Sequence, residues 1–396
     1  MRLAERTSLL RPSPTMALDA KAKEMERAGR SVISFGVGEP DFDTPEPVKE
    51  AAIAALRAGR TKYTPVAGIP ELRKAISERF LREQGTSYPE AGVVVTAGAK
   101  QALYEIFQVL LDAGDEVIVP APYWVTYPDQ IVLAGGKPVV VPAGIDRRFA
   151  LTLADLEAAA TERTRAVVLN SPQNPAGAVL DPSEVVRIAE WAAARGIALI
   201  SDEVYGRLVY DGAEHRSPAT ASPAAREATI VVDAVSKTYA MTGWRIGWLL
   251  TADVKLAAAV ANLQSQSTSN TNSIAQYAAL AALTGDDSAL PEMLRAFAAR
   301  RDLMVEMLRR LPGFEVDVPR GAFYCFPRVR ELLSAPPRGM RFESADALAS
   351  HLLEETGVAL VPGSGFGMPE YLRLSYATSE QRIRDGLSRV AKVLGA

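Results

Sequence analysis

The amino-acid sequence predicts an α/β protein, with a mostly parallel sheet in its larger part and a smaller α+β part. Three observations predict this fold. Strand-like apolar runs alternate with helical stretches along the middle of the chain, several of the runs are apolar throughout, and the alternation stops near residue 285. A run that is apolar at every position is typical of a strand covered by helices on both faces.

Seven runs in the middle of the chain have the composition of strands. The stretches between them have helical character, and such repeated β-α units favour parallel pairing with helices on both faces of the sheet. The predicted strands are residues 92–97, 115–121, 137–142, 164–170, 196–201, 229–234 and 244–250.

The clearest helix between two strands is "DPSEVVRIAEWAAARG", residues 181–196. Asp181 is its predicted N-cap, Pro182 takes the first helical position, and Glu184 completes a capping box. Gly196 is the predicted end of the helix.

Both ends of the chain are predicted to build the smaller part. After about Ser288 come a long amphipathic helix, the strands "FEVDVP" and "GAFYCFP", another helix, the strands "VALVPG" and "YLRLSYA", and a terminal helix. The first residues of the chain precede the first β-α unit. We therefore expect a large domain over residues 46–285 and a small domain built from residues 1–45 and 286–396.

Composition narrows the classes of function. The chain has 396 residues and a formal net charge of −3, which gives no electrostatic reason to expect nucleic acid or a membrane as partner. One cysteine and two histidines leave little room for a zinc site or for a Cys-His or Ser-His pair, so no metal is expected and lysine becomes a candidate base. We find no signal-peptide core or membrane-spanning run, and expect a cytoplasmic protein.

Polar groups gather where the predicted strands end. Open parallel sheets bind ligands beyond the carboxyl ends of their strands, so groups that follow different strands share one edge. These groups are Asn174, Asp202, Tyr205, Lys237, Trp124 and a helix start at Gly98. Each alone is as well explained by a turn, a solvated chain or core packing, and only their joint occurrence predicts a site.

Another glycine-rich stretch, "GSGFG" at residues 363–367, does not fit a dinucleotide-binding fingerprint. It follows an apolar run, but "MPEY" stands where a third glycine would open a helix. This disfavours an NAD-dependent oxidoreductase. A sugar- or nucleotide-binding α/β module without catalysis stays open at this point.

Seven motifs together resemble those of a known family. They are "SKTYAMTGWRIGW", "NSPQNPAGAV", "SDEVYGRLVYDG", "GEPDFDTP", "KYTPVAGIPELR", "APYWVTYPD" and "LRLSYA". In this order they resemble the pyridoxal-phosphate-dependent class I aminotransferases, most closely the bacterial aspartate aminotransferase branch, from about Pro12 to the C-terminus. The resemblance implies the pyridoxal-phosphate (PLP) fold type I, pyridoxal 5'-phosphate as cofactor and a homodimer with shared active sites.

The resemblance also implies roles around the cofactor ring. Lys237 would form the Schiff base and, once freed, move a proton, for which burial and nearby Arg245 should lower its pKa. Asp202 would pair with the pyridine nitrogen. Tyr205 and Asn174 would bind the ring oxygen. The indole that would stack on the ring is that of Trp124.

The phosphate of the cofactor is implied to meet a helix start and an arginine. Gly98, Ala99 and Lys100 would offer backbone N–H groups, and Arg245 a guanidinium. Tyr63 would reach the phosphate of the neighbouring subunit.

One departure from the family concerns the phosphate. Where many members have a serine three residues before the lysine, this chain has Ala234, and Ser236 is the candidate replacement.

The substrate is implied to be an amino acid held by its α-carboxylate. Arg373 would bind that carboxylate, helped by Gly38, Asn174 and Trp124, and Arg11 is the candidate for a second carboxylate. The expected reaction is ping-pong transamination of aspartate or glutamate with 2-oxoglutarate or oxaloacetate. An aromatic or prephenate aminotransferase, or a PLP-dependent lyase on the same fold, is the alternative.

Overall fold

Helices and strands alternate through the part of the chain that the computed structural model describes, which is residues 1–10, 14–335, 337 and 340–395. Its strands are β1 (Ile33–Ser34), β2 (Val93–Thr96), β3 (Glu116–Ala121), β4 (Lys137–Pro142), β5 (Thr164–Asn170), β6 (Ala198–Asp202), β7 (Thr229–Ala234), β8 (Gly247–Leu250), β9 (Tyr324–Cys325), β10 (Val358–Ala359), β11 (Val361–Pro362) and β12 (Leu372–Ser375). Its helices are α1 (Pro14–Arg27), α2 (Glu46–Arg57), α3 (Pro70–Gln84), α4 (Ala99–Leu110), α5 (Thr126–Leu133), α6 (Leu153–Ala159), α7 (Pro182–Arg195), α8 (Pro223–Ala228), α9 (Val235–Thr238), α10 (Val254–Ser267), α11 (Ser273–Thr284), α12 (Ala289–Arg309), α13 (Arg330–Ser334), α14 (Ala345–Thr356) and α15 (Glu380–Leu394). Within these residues, none of the helices combines the length and the apolar character that crossing a membrane requires.

A seven-stranded sheet carries the middle of the chain. Its strand order is β2-β8-β7-β6-β5-β3-β4. Every pair from β7 to β4 is parallel, whereas β8 runs antiparallel to both β2 and β7. The mostly parallel, seven-stranded sheet that the sequence predicts is therefore confirmed.

Both faces of this sheet are covered, which explains its apolar strands. In β7, Ile230 and Val232 pack in one cluster with α4 and α10, and Val231 packs in another with α2, α3 and α11. Because successive side chains of a strand point to opposite faces, Ile230, Val231 and Val232 place helix layers against both faces of β7. The carboxyl edge of the sheet is left as the place where polar side chains can lie.

The two ends of the chain pack together. β1 pairs in parallel with β10, and β9, β11 and β12 form a small antiparallel sheet. Phe35, next to β1, lies in one apolar cluster with α12, α14 and α15. That cluster also takes in Leu208 from the sheet-bearing segment. The division into two domains at residues 45 and 285 stays a prediction.

Three predicted strands differ in the structure. The run "VALVPG" divides into β10 and β11, which lie in different sheets. The segment "FEVDVP" forms only a single bridge, between Glu315 and Arg328, and ends at Pro319, which has no N–H for a ladder. The strand predicted from residue 244 begins at Gly247, because Thr242–Trp244 form a 3₁₀ turn before it.

Helix α7 confirms the predicted ends but not the capping box. Asp181 accepts a hydrogen bond from the Ser183 N–H (2.8 Å), and Gly196 ends the helix with φ 65°. The Glu184 carboxylate instead accepts from the backbone N–H of Leu153. The first turn of neighbouring α6 thus supplies the free donor that a capping box would have taken from α7 itself.

We expect Asp181→Ala to lower the free energy of unfolding by about 1 kcal/mol, because the α7 cap loses its acceptor. Asp181→Asn keeps an acceptor oxygen and is the control. Denaturant unfolding of the three proteins is the measurement. Equal stability of the alanine variant and the wild type would contradict the capping role.

Candidate active site

A cavity of about 430 Å³ lies at the carboxyl ends of β5, β6 and β7. Most of the side chains that the sequence singles out line it. They are Gly38, Ala99, Lys100, Trp124, Asn174, Asp202, Tyr205, Ser236, Lys237, Arg245 and Arg373. The structure therefore brings together groups from β6, β12, α4, α9 and the connections between them.

Asp202 is the last residue of β6 and is buried. Its Oδ2 accepts a hydrogen bond from the Tyr127 hydroxyl (2.6 Å), and its Oδ1 accepts a weaker one from the Val204 N–H (3.4 Å). Burial raises the pKa of this carboxyl to about 6, although the Tyr127 bond acts in the opposite direction. Above that pH the cavity contains a carboxylate that no cationic side chain of the described residues contacts, which suits a protonated ring nitrogen.

Lys237 lies on the single-turn helix α9, directly after β7. Its Nζ donates to the Gly38 carbonyl (2.5 Å) and lies 5.9 Å from the ring centroids of Tyr205 and Phe323. The pKa of this amine is lowered to about 8, mainly by burial; the charge of Glu39 opposes this shift, and the charges of Arg373 and Arg245 contribute to it. A neutral amine is thus accessible near physiological pH, which a nucleophile or base needs.

Arg245 and the start of α4 face the same space. Arg245 follows the 3₁₀ turn with φ 59° and donates to the carbonyls of Ala97 and Thr242, both at 3.1 Å. Gly98, the N-cap of α4, has φ 85°, and a Cβ there would lie 2.4 Å from the guanidinium. Only glycine lets the cation lie against the helix start, and the two together form a cradle for an anion.

Arg373, on β12, is buried without a carboxylate partner among the described residues. It donates to Asn174 Oδ1 (3.1 Å) and to the Gly36 carbonyl (2.7 Å), and its buried Nε has no partner there. The rings of Tyr324 and Phe366 lie 4.7 and 5.0 Å from its guanidinium carbon. Burial lowers the pKa of this arginine. A buried guanidinium with spare donors suits a carboxylate ligand.

Two tyrosines line the cavity that sequence reasoning did not single out. Tyr127 stands three residues after Trp124, and their rings meet edge to face at 5.5 Å. That spacing at a helix start was the available signal. Tyr324 lies 2.9 Å from the Tyr205 hydroxyl, and a Cβ on Gly38 would lie 2.8 Å from the Tyr324 hydroxyl.

Two further predicted residues lie away from the cavity wall, and a third lies outside the described residues. Gly98 lies behind Arg245 rather than on the cavity wall. Tyr63 is 89% exposed and does not line the cavity of its own chain. Arg11 lies outside the described residues. Ala234 and Ser236 both line the cavity, so either position is available to a ligand there.

Comparison with known proteins identifies the family of this chain. A family model described as "Aminotransferase class I and II" matches residues 30–390. The chain is 50% identical to a probable aspartate/prephenate aminotransferase of Aquifex aeolicus, covering 99% of this chain and 98% of the other. It is 46% identical to an aspartate aminotransferase of Geobacillus stearothermophilus over the full length of both.

A solved structure gives the same answer for the fold. An aspartate aminotransferase from Thermus thermophilus with maleate superposes with a TM-score of 0.93, at 43% identity and full coverage of both chains. This chain belongs to the class I and II aminotransferase family, as the motifs in its sequence predict. It is an aminotransferase of fold type I.

We expect the Lys237 amine of the cofactor-free protein to become reactive near pH 8. At that pH about half of it is neutral, whereas an ordinary lysine with a pKa of about 10.4 is less than about 1% neutral. Competitive acetylation across pH, read by peptide mass spectrometry, measures this, with free Nα-acetyl-lysine amide as reference. A Lys237 profile that follows the reference would contradict the effect of burial.

Proposed function

We propose that this aminotransferase uses pyridoxal 5'-phosphate to transfer the amino group of aspartate or glutamate to 2-oxoglutarate or oxaloacetate in a ping-pong reaction. The observation that carries the proposal is one cavity in which Asp202 and Arg373 are buried and Lys237 is half-buried, all three without ion-pair partners among the described residues. Such charges are costly unless a ligand completes them.

The residues present fit the cofactor. Arg245 and the start of α4 would hold the phosphate, Asp202 would hold the ring nitrogen, and the Lys237 amine would meet the aldehyde. Trp124, two residues before the start of α5, offers a ring face for stacking. When bound, the cofactor supplies an electron sink that stabilises the negative charge left by removal of the Cα proton.

The side chains of this chain would bind the substrate and move the proton. Arg373 binds the α-carboxylate and so fixes Cα beside the Lys237 amine. That amine, neutral near pH 8, takes a proton from Cα and returns it elsewhere on the bound molecule. Asp202, held by Tyr127, stays anionic against the ring nitrogen, and Tyr205 donates to the ring oxygen.

An acidic substrate needs one more cation, and among the described residues that line the cavity Lys100 is the one available. Of the cationic side chains that line the cavity, Arg245, Lys237 and Arg373 already have tasks. Lys100 lies 4.8 Å over the Trp124 ring, and its pKa is lowered by burial and by Arg245. We therefore propose that its ammonium binds the distal carboxylate, a role for which the sequence suggests Arg11.

The relatives support an acidic donor. Those cited above carry aspartate or aspartate and prephenate in their names. Aspartate transamination is supported over the aromatic, prephenate and lyase alternatives.

A cytoplasmic homodimer is part of the proposal. The 89% exposure of Tyr63 supports a role in the site of a second copy, where this side chain would meet the phosphate. The lone cysteine, Cys325, is buried and has no partner thiol, as suits a reducing compartment.

The cofactor assignment predicts a yellow protein after PLP addition, whose colour borohydride fixes on the peptide that contains Lys237. Lys237→Ala should lose transamination by several orders of magnitude, because the base is gone. The control is Lys74→Ala, on the exposed face of α3. Attachment of the reduced cofactor to another lysine, or an active Lys237→Ala variant, would refute the assignment.

The distal-carboxylate assignment predicts that Lys100→Gln lowers kcat/KM for aspartate by about ten- to a hundredfold, the worth of one charge-assisted hydrogen bond. The values for alanine and tyrosine should stay within about threefold, since neither has a distal carboxylate. The backbone N–H of residue 100 remains, so PLP retention should be unchanged. An equal loss for all three donors would refute the assignment.

A further inference from the structure

Directly behind the cavity, a buried hydrogen-bonded cluster surrounds Glu203, the residue after Asp202. Its Oε1 accepts from the hydroxyls of Ser201 (2.7 Å) and Ser217 (2.6 Å), and its Oε2 lies 3.1 Å from His215 Nε2. The side chains of Glu203 and His215 are each only 6% exposed. We name these four residues the Glu203 cluster.

The cluster lies on the far side of the turn from the cavity. Asp202 and Tyr205 line the cavity, whereas no member of the Glu203 cluster does. Successive residues of a strand point to opposite faces, so the carboxyls of Asp202 and Glu203 leave the end of β6 in opposite directions. The hydrogen bonds that fix the Glu203 side chain therefore also restrict Asp202, because the two residues share one peptide unit.

The backbone of this turn is tied at the same place. The Glu203 N–H donates to the Val232 carbonyl on β7 (2.8 Å), and the Gly206 N–H donates to the Glu203 carbonyl (2.7 Å). A Cβ on Gly206 would lie 2.9 Å from the His215 ring. The imidazole is packed directly against the turn that carries Tyr205.

Folding of this turn does not by itself require a buried polar cluster. A buried carboxylate with a buried imidazole costs desolvation, and apolar side chains of similar volume would pack there without it. His215 comes from an irregular segment that the cluster binds to the end of β6. The charge of Glu203 also raises the pKa of Asp202, in addition to the larger effect of burial.

We propose that Glu203 and His215 are positioning residues that act as one unit. They fix the turn from Asp202 to Tyr205 and so orient the two side chains that bind the cofactor ring. This inference rests on the proposed function. It assigns to the pair no contact with substrate or cofactor. The unit acts through the peptide that Asp202 and Glu203 share and through the packing of His215 on Gly206.

The test compares Glu203→Gln with Glu116→Gln in the full-length enzyme. An amide keeps one acceptor oxygen and replaces the other with an NH2 donor, so the Glu203 cluster loses its negative charge and one acceptor while the shape is kept. Glu116 is a matched control, because it is also buried and bonded to Thr161 and Lys137, but at the start of β3, the opposite end of the sheet.

We expect Glu203→Gln to weaken PLP binding about tenfold, by analogy with the loss of a residue that orients a metal ligand. kcat should fall by a similar factor with KM for the donor within about twofold, because Arg373 is untouched. The visible circular dichroism of the bound cofactor, per unit absorbance, should change with ring orientation. Glu116→Gln should leave all three at wild-type values.

A cycle with His215→Gln tests whether the pair is one unit. The double variant should be no worse than Glu203→Gln alone, because the interaction is already lost. Additive losses, or wild-type PLP affinity and dichroism in Glu203→Gln, would overturn the proposal. If Glu203→Gln does not fold, Ser217→Ala removes one donor and should weaken PLP binding about threefold, and wild-type affinity there overturns it equally.

Hydrogen exchange of the cofactor-free protein separates this inference from the proposed function. The peptide spanning residues 201–206 should exchange about tenfold faster in Glu203→Gln than in the wild type or in Glu116→Gln. Unchanged exchange there counts against the positioning unit, whatever the cofactor result. A wild type that binds no PLP would instead refute the proposed function.

Discussion

The structure depends on holding three charged groups, two buried and one half-buried, at one edge of a sheet without pairing them to one another. Lys237, Asp202 and Arg373 are each held by neutral partners, respectively a carbonyl, the Tyr127 hydroxyl and the Asn174 amide with a carbonyl. Neutral partners hold orientation but leave charge uncompensated, so the cavity favours a ligand that carries both signs. The apolar layers on both faces of the sheet provide the stability that makes such a site tolerable.

Close backbone approach is the second requirement of this site. Because Gly98 has no Cβ, the Arg245 guanidinium can lie against it, and the Tyr324 hydroxyl lies against Gly38 in the same way. A Cβ on Gly247, at the start of β8, would lie 2.4 Å from the backbone nitrogen of Ala99. The cradle for an anion is thus formed by close contact between main chains and one guanidinium. These contacts are possible because the glycines have no Cβ atom.

Sequence reasoning recovered the sheet and the cavity edge because both follow from local pattern: apolar runs give strands, and parallel strands gather their carboxyl ends. It missed Tyr127 and Tyr324, because a buried aromatic in the site has the same local signature as one in the core. It also misread Glu184, whose partner comes from another helix. "FEVDVP" has a strand's alternation, but pairing needs a neighbour that tertiary structure supplies at one position only.

The antiparallel direction of β8 has a consequence for how the chain can vary. A parallel neighbour of β7 would need a long crossover, which could absorb added residues in its helix or loops. Because β8 returns at the same edge, Lys237 and Arg245 share one short connection, filled by α9 and a 3₁₀ turn. The distance between the two groups is therefore set by covalent length. An insertion here would separate them directly, whereas the crossovers elsewhere in the sheet are free to lengthen.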